Sequence, residues 1–372
     1  YKYIYMCIII IKPQQSEWKM QAVTNRKTVI DSIVESVFDR NAANFWLQKF
    51  NPLWSVNQSL GKIVNKQLNG TDTVSLTIQV NKKFKKAQAG QHHPVIIQSN
   101  GRLYERTYSL TQVDDQHVLL TAKKVADGVV SGWLVDQSKV GDLIEFGLPY
   151  GDMTIQQDTQ SLILLAAGSG ITPMYSLLQD LFKQSSNRPV ELMYWVKTEA
   201  DIAFKTELEQ WSQQHANFKL HMFYTQAVKA DKRINAQHTA QIENLATSTV
   251  YACGPSGFVN SAEELFAQAA IFKSEAFSLS PIISDDVGFI NVTLTQSQKT
   301  ILIPKGQSIL VGLEQQNIKP THGCRMGICN KCACNKAQGS TKNLVNGAEN
   351  NEPGNLLKIC VNSAQTDLII DL

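Results

Sequence analysis

The chain has 372 residues, enough for two or three domains of ordinary size. Hydrophobic residues make up 43% and charged residues 18%, so the chain can bury sizeable cores and does not have the composition of a disordered protein. Lys and Arg total 35 against 32 Asp and Glu, and this formal net charge of +3 argues against a strongly basic nucleic-acid-binding protein, so we expect no nucleic-acid partner.

The beginning of the chain carries an apolar run at residues 4–11. This run is far shorter than the roughly 20 residues that a bilayer span requires, and it lacks a basic leader and a small-residue cleavage site. We interpret residues 1–19 as an upstream extension without a role in the fold; the alternative is a short membrane-surface or partner-docking segment. Helical spacing of apolar residues over 27–50 predicts a helical preface packed on the body. Residues 1–54 would then precede the domains of a cytoplasmic protein.

Residues 55–155 contain short segments of period-two alternation that are separated by turn signals such as Asn69-Gly70. The predicted strands are 74–80 and parts of 91–98, 104–110 and 117–124, with one helix over 129–137. This pattern predicts an antiparallel barrel or sandwich.

Residues 156–279 alternate between strand and helix. A continuous apolar run at 162–167 is typical of a strand buried on both faces. Further strands are predicted at 190–196, 219–224 and 249–253, and helices at 173–183, 200–214 and 257–270. The alternation predicts an α/β domain with a parallel sheet. Residues 278–286 are interpreted as a linker, after which 287–372 opens with a hairpin (289–294 and 299–303) and a helix (308–316).

The cysteines are crowded near the carboxyl end of the chain. Cys324, Cys329, Cys332 and Cys334 lie within eleven residues, and Cys360 follows. Crowded thiols in a chain without a secretory signal indicate metal ligands rather than disulfides. The Cys-x4-Cys-x2-Cys spacing with a distant fourth cysteine matches a plant-type [2Fe–2S] cluster. Zinc is the alternative, but its ligands usually come as two paired knuckles, so we predict an iron–sulfur site in which Cys334 is a bystander.

The run His-Gly-Cys-Arg-Met-Gly-Ile-Cys-Asn-Lys-Cys at 322–332 resembles a plant-type ferredoxin domain. The resemblance implies that residues 287–372 form an α+β domain of the β-grasp type. Asn330 departs from the family, which usually has Gly there. Asn tolerates left-handed backbone next best, so we expect the loop to keep its conformation.

A second motif resembles the Arg-x-Tyr-Ser flavin signature of the ferredoxin–NADP reductase superfamily. It is the run Arg106-Thr107-Tyr108-Ser109-Leu110. Arg106 supplies a forked cation for phosphate, Tyr108 a flat ring beside the isoalloxazine, and Ser109 a hydroxyl near its reactive edge. The family's second element, in which helix-start amides and a Ser hold the flavin phosphate, is matched by Gly128-Val129-Val130-Ser131. The resemblance implies a flavin-binding β-barrel with FAD, and FMN is left open.

A glycine turn follows the buried strand, in the run Gly168-Ser169-Gly170-Ile171-Thr172-Pro173. With Thr172 as N-cap and Pro173 at the first helical position, this turn would present amides to a pyrophosphate. The same superfamily carries this motif and a second one, matched here by Cys253-Gly254-Pro255. The matching cysteine lies near the nicotinamide in the family, so Cys253 joins Tyr108 and Ser109 as a catalytic candidate. Its alternative is a small buried core residue.

The choice between NADPH and NADH depends on charged residues that follow the predicted strand 190–196 and on a later loop. Lys197 and Arg233 would face a 2′-phosphate and favour NADPH, whereas Glu199 and Asp201 would meet the free ribose hydroxyl of NADH. We predict NADPH and keep NADH as the alternative.

The order flavin, nicotinamide, ferredoxin is similar to that of reductase components of the phthalate dioxygenase, phenylacetyl-CoA epoxidase and acyl-CoA desaturase systems. The resemblance implies that NAD(P)H delivers hydride to flavin and that single electrons pass through [2Fe–2S] to a protein acceptor. That acceptor would be an oxygenase, a hydroxylase or a desaturase, and peripheral contact with a membrane partner is left open. The alternatives are a flavin or small-acceptor reductase with a vestigial ferredoxin domain, and a non-enzymatic redox-sensing module.

Overall fold

The computed structural model describes residues 39–70, 72–99, 101–126, 128–155, 161–226, 233–278, 288–345 and 347–372. Residues 1–19, the preface before residue 39 and the predicted linker after Ser278 lie outside this set. The helices are α1 (Arg40–Phe50), α2 (Val129–Gly132), α3 (Ile171–Lys183), α4 (Lys205–Gln214), α5 (Ala236–Ala240), α6 (Ser256–Leu265) and α7 (Ile309–Gln315). Among the described residues, no helix is both long and apolar enough to cross a bilayer.

The strands fall into three regions of the chain. The first region contains β1 (Leu60–Leu68), β2 (Thr73–Val80), β3 (His92–Ser99), β4 (Arg102–Gln112), β5 (His117–Lys123) and β6 (Leu143–Phe146). The second contains β7 (Ser161–Ala167), β8 (Val190–Val196), β9 (Phe218–Tyr224), β10 (Ser248–Pro255) and β11 (Ile271–Ser278). The third contains β12 (Phe289–Leu294), β13 (Lys299–Pro304), β14 (Ala333–Gln338), β15 (Thr341–Asn343), β16 (Glu349–Asn350), β17 (Asn355–Lys358), β18 (Asn362–Ala364) and β19 (Leu368–Ile370).

The first region is a closed antiparallel barrel with the strand order β1-β2-β5-β4-β3-β6. Alternate side chains turn inward, so that Ile63, Leu76 and Leu120 are completely buried in its core. The four strands predicted here agree with β2 to β5 to within a few residues. The helix predicted over 129–137 is divided between α2 and a π-helical turn, Trp133–Gln137.

The helical preface is confirmed over α1, but its packing is not the one that the apolar spacing predicted. Asn44 is the buried residue of α1, and its side-chain oxygen accepts hydrogen bonds from the Val56 amide at 2.8 Å and the Ser55 hydroxyl at 3.0 Å. Phe45 and Trp46 are instead 55% and 65% exposed. A polar network, rather than an apolar face, therefore joins α1 to residues 55–58, which lead into the barrel.

The second region is a parallel sheet with the order β11-β10-β7-β8-β9. Leu164 and Leu165 of β7 are both completely buried but belong to different core clusters, one on each face of the sheet. This confirms the continuous apolar run as a central strand. Strand β11 was not predicted, because Lys273 and Glu275 interrupt the apolar pattern of this edge strand. The helix expected over 257–270 ends at Leu265, and a turn over residues 266–270 leads into β11.

The third region is the expected α+β domain. Its main sheet has the order β13-β12-β19-β14-β17, with β12 and β19 parallel at the centre and the other pairs antiparallel. Helix α7 buries Ile309 and Leu313 in the core of this domain, and the Ser308 side chain caps its start. The predicted hairpin corresponds to β12 and β13, and β15, β16 and β18 form a second, smaller sheet.

Candidate electron-transfer site

A cavity of about 380 Å³ lies where the three domains meet. It is lined by eight of the residues predicted to bind flavin: Arg106, Thr107, Tyr108, Ser109, Gly128, Val129, Val130 and Ser131. The parallel-sheet domain contributes Ser169, Thr172 and Phe277, and the cysteine loop contributes Cys324, Arg325 and Met326. The fold therefore brings motifs from three separate domains to one space.

Arg106 lies half-buried on β4 at the cavity. Burial, followed by the positive charge of Arg325, lowers the pKa of Arg106. Its Nη1 donates a hydrogen bond to the Glu105 carbonyl at 2.6 Å. Arg325 lines the same cavity but pairs with Glu314, so Arg106 supplies the guanidinium that suits the phosphates of a flavin nucleotide.

Ser109 is the clearest sign that the cavity accepts a polar ligand. The residue is 3% exposed, and its Oγ is buried with no hydrogen-bond partner among the described residues. A buried hydroxyl without a partner is costly, so the geometry fits a polar ring edge at this atom. Tyr108 lies beside it, and burial raises the pKa of its phenol well above the usual range. Leu110, by contrast, is buried in the barrel core and does not line the cavity.

The turn before α2 is built around Gly128 and Ser131. The Ser131 hydroxyl donates to the Gly128 carbonyl at 3.3 Å and accepts from the Val125 amide at 3.2 Å. A Cβ on Gly128 would lie 2.4 Å from Ser131 Oγ, so glycine is needed there. Among the described residues, no side chain caps the start of α2, so its first amides have no side-chain acceptor there.

The helix after the glycine turn of the parallel sheet starts two residues earlier than predicted. Gly168 adopts φ +55°, a 3₁₀ turn spans Gly168–Gly170, and α3 begins at Ile171 with Gly170 as its N-cap. Thr172 is therefore not the N-cap and Pro173 is not the first helical residue. Instead, Thr172 lies in the first helical turn and its Oγ1 donates to the Ser169 carbonyl at 3.1 Å. The tight 3₁₀ turn moves the helix start toward the strand.

The two motifs predicted to bind nicotinamide nucleotide contact each other. A Cβ on Gly170 would lie 2.0 Å from the carbonyl oxygen of Cys253, and one on Gly254 would lie 2.9 Å from the Ala167 Cβ. The Cys253 side chain is completely buried and does not line the cavity, and burial, followed by the charge of Glu275, raises the pKa of its thiol. The structure thus brings the two turns together without exposing this thiol, whose catalytic role stays a prediction. Pro255 is exposed at the end of β10.

Lys197 and Arg233 are both exposed, Lys197 directly after β8. The two carboxylates that would instead bind the free ribose hydroxyl of NADH each pair with a lysine. Glu199 pairs with Lys205, and Asp201 pairs with Lys123 of the barrel at 2.7 Å. Burial alone would raise the pKa of Asp201, but hydrogen bonds from Lys123 and Thr198 outweigh burial and lower it.

The four predicted cluster ligands are arranged as two hydrogen-bonded pairs. The Cys324 thiol lowers the pKa of Cys329 to about 5, and the Cys360 thiol lowers that of Cys332 to about 7. Among the described residues, no three His, Cys, Asp or Glu side chains converge as ligands of one ion. Two pairs fit two irons with two thiolates each, whereas a zinc site needs its ligands around a single point.

The backbone of the cysteine loop is shaped toward these sulfurs. The Met326 amide donates to Cys324 Sγ at 3.3 Å, and the Cys324 amide donates to Cys329 Sγ at 3.3 Å. Gly327 and Asn330 have φ of +78° and +56°, so Asn330 adopts the left-handed conformation expected of it. Amides aimed at sulfur stabilise negatively charged thiolates and a cluster bound to them.

Three domain families match the chain in order. The oxidoreductase FAD-binding domain matches residues 61–155, the oxidoreductase NAD-binding domain residues 164–264, and the 2Fe-2S iron-sulfur cluster binding domain residues 292–362. The chain has the fold of the ferredoxin–NADP reductase family with a carboxyl-terminal [2Fe–2S] domain. It is an NAD(P)H oxidoreductase that transfers electrons through FAD and a carboxyl-terminal [2Fe–2S] domain.

Named relatives cover most of this reductase. An NADPH oxidoreductase of Mycobacterium tuberculosis is 29% identical over 338 residues, 88% of each chain. Phthalate dioxygenase reductase of Burkholderia cepacia is 25% identical over 300 residues, 77% of this chain and 88% of the relative. A solved structure of phthalate dioxygenase reductase matches with a TM-score of 0.63 at 24% identity, covering 84% of this reductase and 97% of that chain, and it shows the same fold.

Several residues at the domain junctions were not among those predicted from the sequence. Phe277 reaches the cavity from β11, a strand that the apolar pattern did not reveal. Two residues earlier, Glu275 Oε2 lies 3.5 Å from Nδ1 of His92, a buried residue of the barrel. Glu105 pairs with Lys331 of the cysteine loop at 2.5 Å. Only Glu105 had a usable clue, since it adjoins the flavin motif.

Proposed function

We propose that the reductase passes single electrons from its [2Fe–2S] cluster to a separate oxygenase, hydroxylase or acyl desaturase. The observation that carries this proposal is the shared cavity, where the flavin residues lie beside Cys324 and Met326 of the cluster loop. The likeness to a protein named phthalate dioxygenase reductase supports an oxygenase as the acceptor.

The proposal gives the predicted residues that line the cavity and the nicotinamide turns the following roles. Bound FAD supplies the change from hydride acceptance to the release of single electrons. Arg106 and the amides of residues 128–131 hold its phosphates, and Tyr108 and Ser109 contact its ring. The close packing of Gly170 on Cys253 brings the glycine turn and the start of α3 beside the end of β10, where the proposal places the pyrophosphate of the coenzyme.

NADPH is the coenzyme that we propose. Glu199 and Asp201 are engaged by lysines, while Lys197 and Arg233 remain exposed for a 2′-phosphate. The relative named NADPH oxidoreductase supports the same choice. We propose a cytoplasmic protein divided into a preface (1–54), a flavin barrel (55–155), a nicotinamide domain (156–279) and a ferredoxin domain (287–372).

The test is a single-turnover experiment on the full chain loaded with FAD and iron. We expect one equivalent of NADPH to bleach the flavin, then to produce the electron paramagnetic resonance signal of a reduced [2Fe–2S] centre, and then to reduce added cytochrome c. NADH run in parallel ranks the two coenzymes. Rapid ferricyanide reduction without any cluster signal would indicate a small-acceptor reductase, and absence of NAD(P)H oxidation would indicate a redox-sensing module.

A further inference from the structure

Helix α1 is held by its polar side to residues 55–58, the segment that leads into the barrel. Asn44 is 5% exposed. Its side-chain Nδ2 donates to Asn57 Oδ1 at 2.8 Å, and its Oδ1 accepts a hydrogen bond from the Val56 backbone amide. One turn later, Gln48 donates to Gln58 Oε1 at 3.0 Å. These hydrogen bonds fix the orientation of α1, because a four-residue spacing places both side chains on the same face.

The aromatic side chains of the same segment point to solvent. Phe45, Trp46 and Phe50 of α1 are 55%, 65% and 82% exposed, and Trp54 is 53% exposed just after the helix. Phe45 and Trp46 stack edge to face at 5.4 Å, and Lys49 Nζ lies 5.1 Å from the Phe45 ring centroid. A helix that turns its side-chain amides inward and exposes its aromatic rings reverses the usual amphipathic arrangement. Large apolar side chains that are exposed together on one segment mark an interaction surface.

A lysine-rich turn is tied to this segment. Between β2 and β3, all four lysines of residues 82–86 are exposed: Lys82, Lys83, Lys85 and Lys86. Asn81, which begins the turn, donates to the carbonyls of Leu53 at 3.1 Å and Gln58 at 3.0 Å. The lysine turn therefore neighbours the aromatic segment. Lys86 pairs with the exposed Asp115, and the other three extend the positive charge.

We propose that α1, Trp54 and the lysine turn form a surface that docks peripherally on an anionic lipid bilayer. Aromatic rings insert at the headgroup boundary, and clustered lysines are attracted to anionic lipid. Charge selects this occupant over a second copy of the chain, because a symmetric interface through this face would bring two lysine turns into the same contact. Such docking would let the reductase deliver electrons to a membrane-bound acceptor, and this part of the inference rests on the proposed function. The binding to lipid does not depend on the proposed function.

The test uses the full-length reductase with vesicles of phosphatidylcholine and phosphatidylglycerol (about 7:3) and with pure phosphatidylcholine. We expect co-sedimentation with the anionic vesicles that weakens as salt is raised. Trp46→Ser/Phe50→Ser should weaken binding about tenfold or more, and Lys82→Gln/Lys83→Gln/Lys85→Gln should remove the preference for anionic lipid. Leu356→Ser, at a leucine of the ferredoxin domain that is 66% exposed, is the matched control and should bind like the wild type.

Flavin content and NADPH–ferricyanide reduction, measured on every variant, show that each one is folded and separate the surface from the electron-transfer function. Equal binding by wild type and both variants, or no binding by the wild type, would overturn the proposal. A concentration-dependent dimer that Trp46→Ser/Phe50→Ser abolishes would also overturn it, because the face would then belong to a second copy.

Discussion

At the residue scale, the neighbours of each cysteine determine the pKa of its thiol and therefore its ability to bind iron. Cys334 lies in β14 opposite Leu357, and burial, followed by the charge of Cys332, raises the pKa of its thiol to about 12. Cys329 differs in having a thiol partner and backbone amides aimed at its sulfur, so that its pKa falls to about 5. A thiolate is the form that binds iron, so replacing Cys329 should affect the cluster and replacing Cys334 should not.

We therefore expect Cys329→Ser to lose the cluster and Cys334→Ser to keep it. Iron and sulfide per chain, together with visible absorbance, measure the loss. NADPH should still bleach the flavin in Cys329→Ser, because the hydride pathway lies in the other two domains. A Cys329→Ser protein that is folded but cannot reduce its flavin would show that the domains are not separable, and loss of the cluster in Cys334→Ser would make that residue more than a bystander.

At the element scale, two turns of the parallel sheet lock together. The turn between β7 and α3 presses Gly170 against the backbone of Cys253, at the end of the neighbouring strand β10. Backbone atoms cannot move aside as a flexible side chain can, so this contact sets the distance between the two nicotinamide motifs. Both motifs sit at the carboxyl ends of adjacent parallel strands, which is where such sheets bind nucleotides.

Gly170→Ala should separate these turns. Its Cβ would lie 2.0 Å from the Cys253 carbonyl oxygen, so we expect a loss of about 1–3 kcal/mol in stability and a raised KM for NADPH. Gly132→Ala is the control, since nothing lies within 4 Å of its Cβ and its φ is −61°; its stability should change by less than about 1 kcal/mol. Urea unfolding and NADPH titration measure both, and an unchanged KM in Gly170→Ala would contradict the role of this contact.

At the scale of the whole molecule, charged pairs connect the domains. Lys123 of the barrel pairs with Asp201 of the nicotinamide domain, and Lys331, between two cluster ligands, pairs with Glu105 of the barrel. Glu105 is close enough to the cysteine loop that a Cβ on Gly323 would lie 2.7 Å from its Oε1. The Glu105–Lys331 pair thus holds the cluster loop against the strand that carries the flavin motif.

Lys331→Met and Glu105→Gln should slow electron transfer from flavin to cluster by about two- to fivefold, the effect of an ion pair worth roughly 0.5–1 kcal/mol. Stopped-flow absorbance separates this step from flavin reduction by NADPH, which should keep its wild-type rate. Raising the salt concentration should slow the wild type toward the variants. The exposed Lys86–Asp115 pair supplies the control, Lys86→Met, and equal rates in all four proteins would remove Glu105 and Lys331 from the coupling.

Much of the fold could be predicted from short-range patterns. The alternation that marks β2 to β5 and the apolar run that marks β7 reflect which faces of a strand are buried, and burial leaves its pattern within a few residues. The pattern failed at β11, whose polar residues belong to an edge strand, and at Thr172, where a 3₁₀ turn moved the helix start to Ile171. In both places the neighbouring strands and turns, rather than the local residues, decided the conformation.

The candidate site also has features that short-range patterns predict and features that only the tertiary structure decides. Sequence alone determined the order of the three domains and predicted the four cluster ligands and the flavin motif, because each depends on residue types at short, fixed spacing. Only the tertiary structure decided that Phe277 reaches the cavity, that Glu105 meets Lys331 226 positions away, and that α1 turns its amides inward and its aromatic rings outward. Such contacts join residues distant along the chain, and no local periodicity records which surfaces the folded domains bring together.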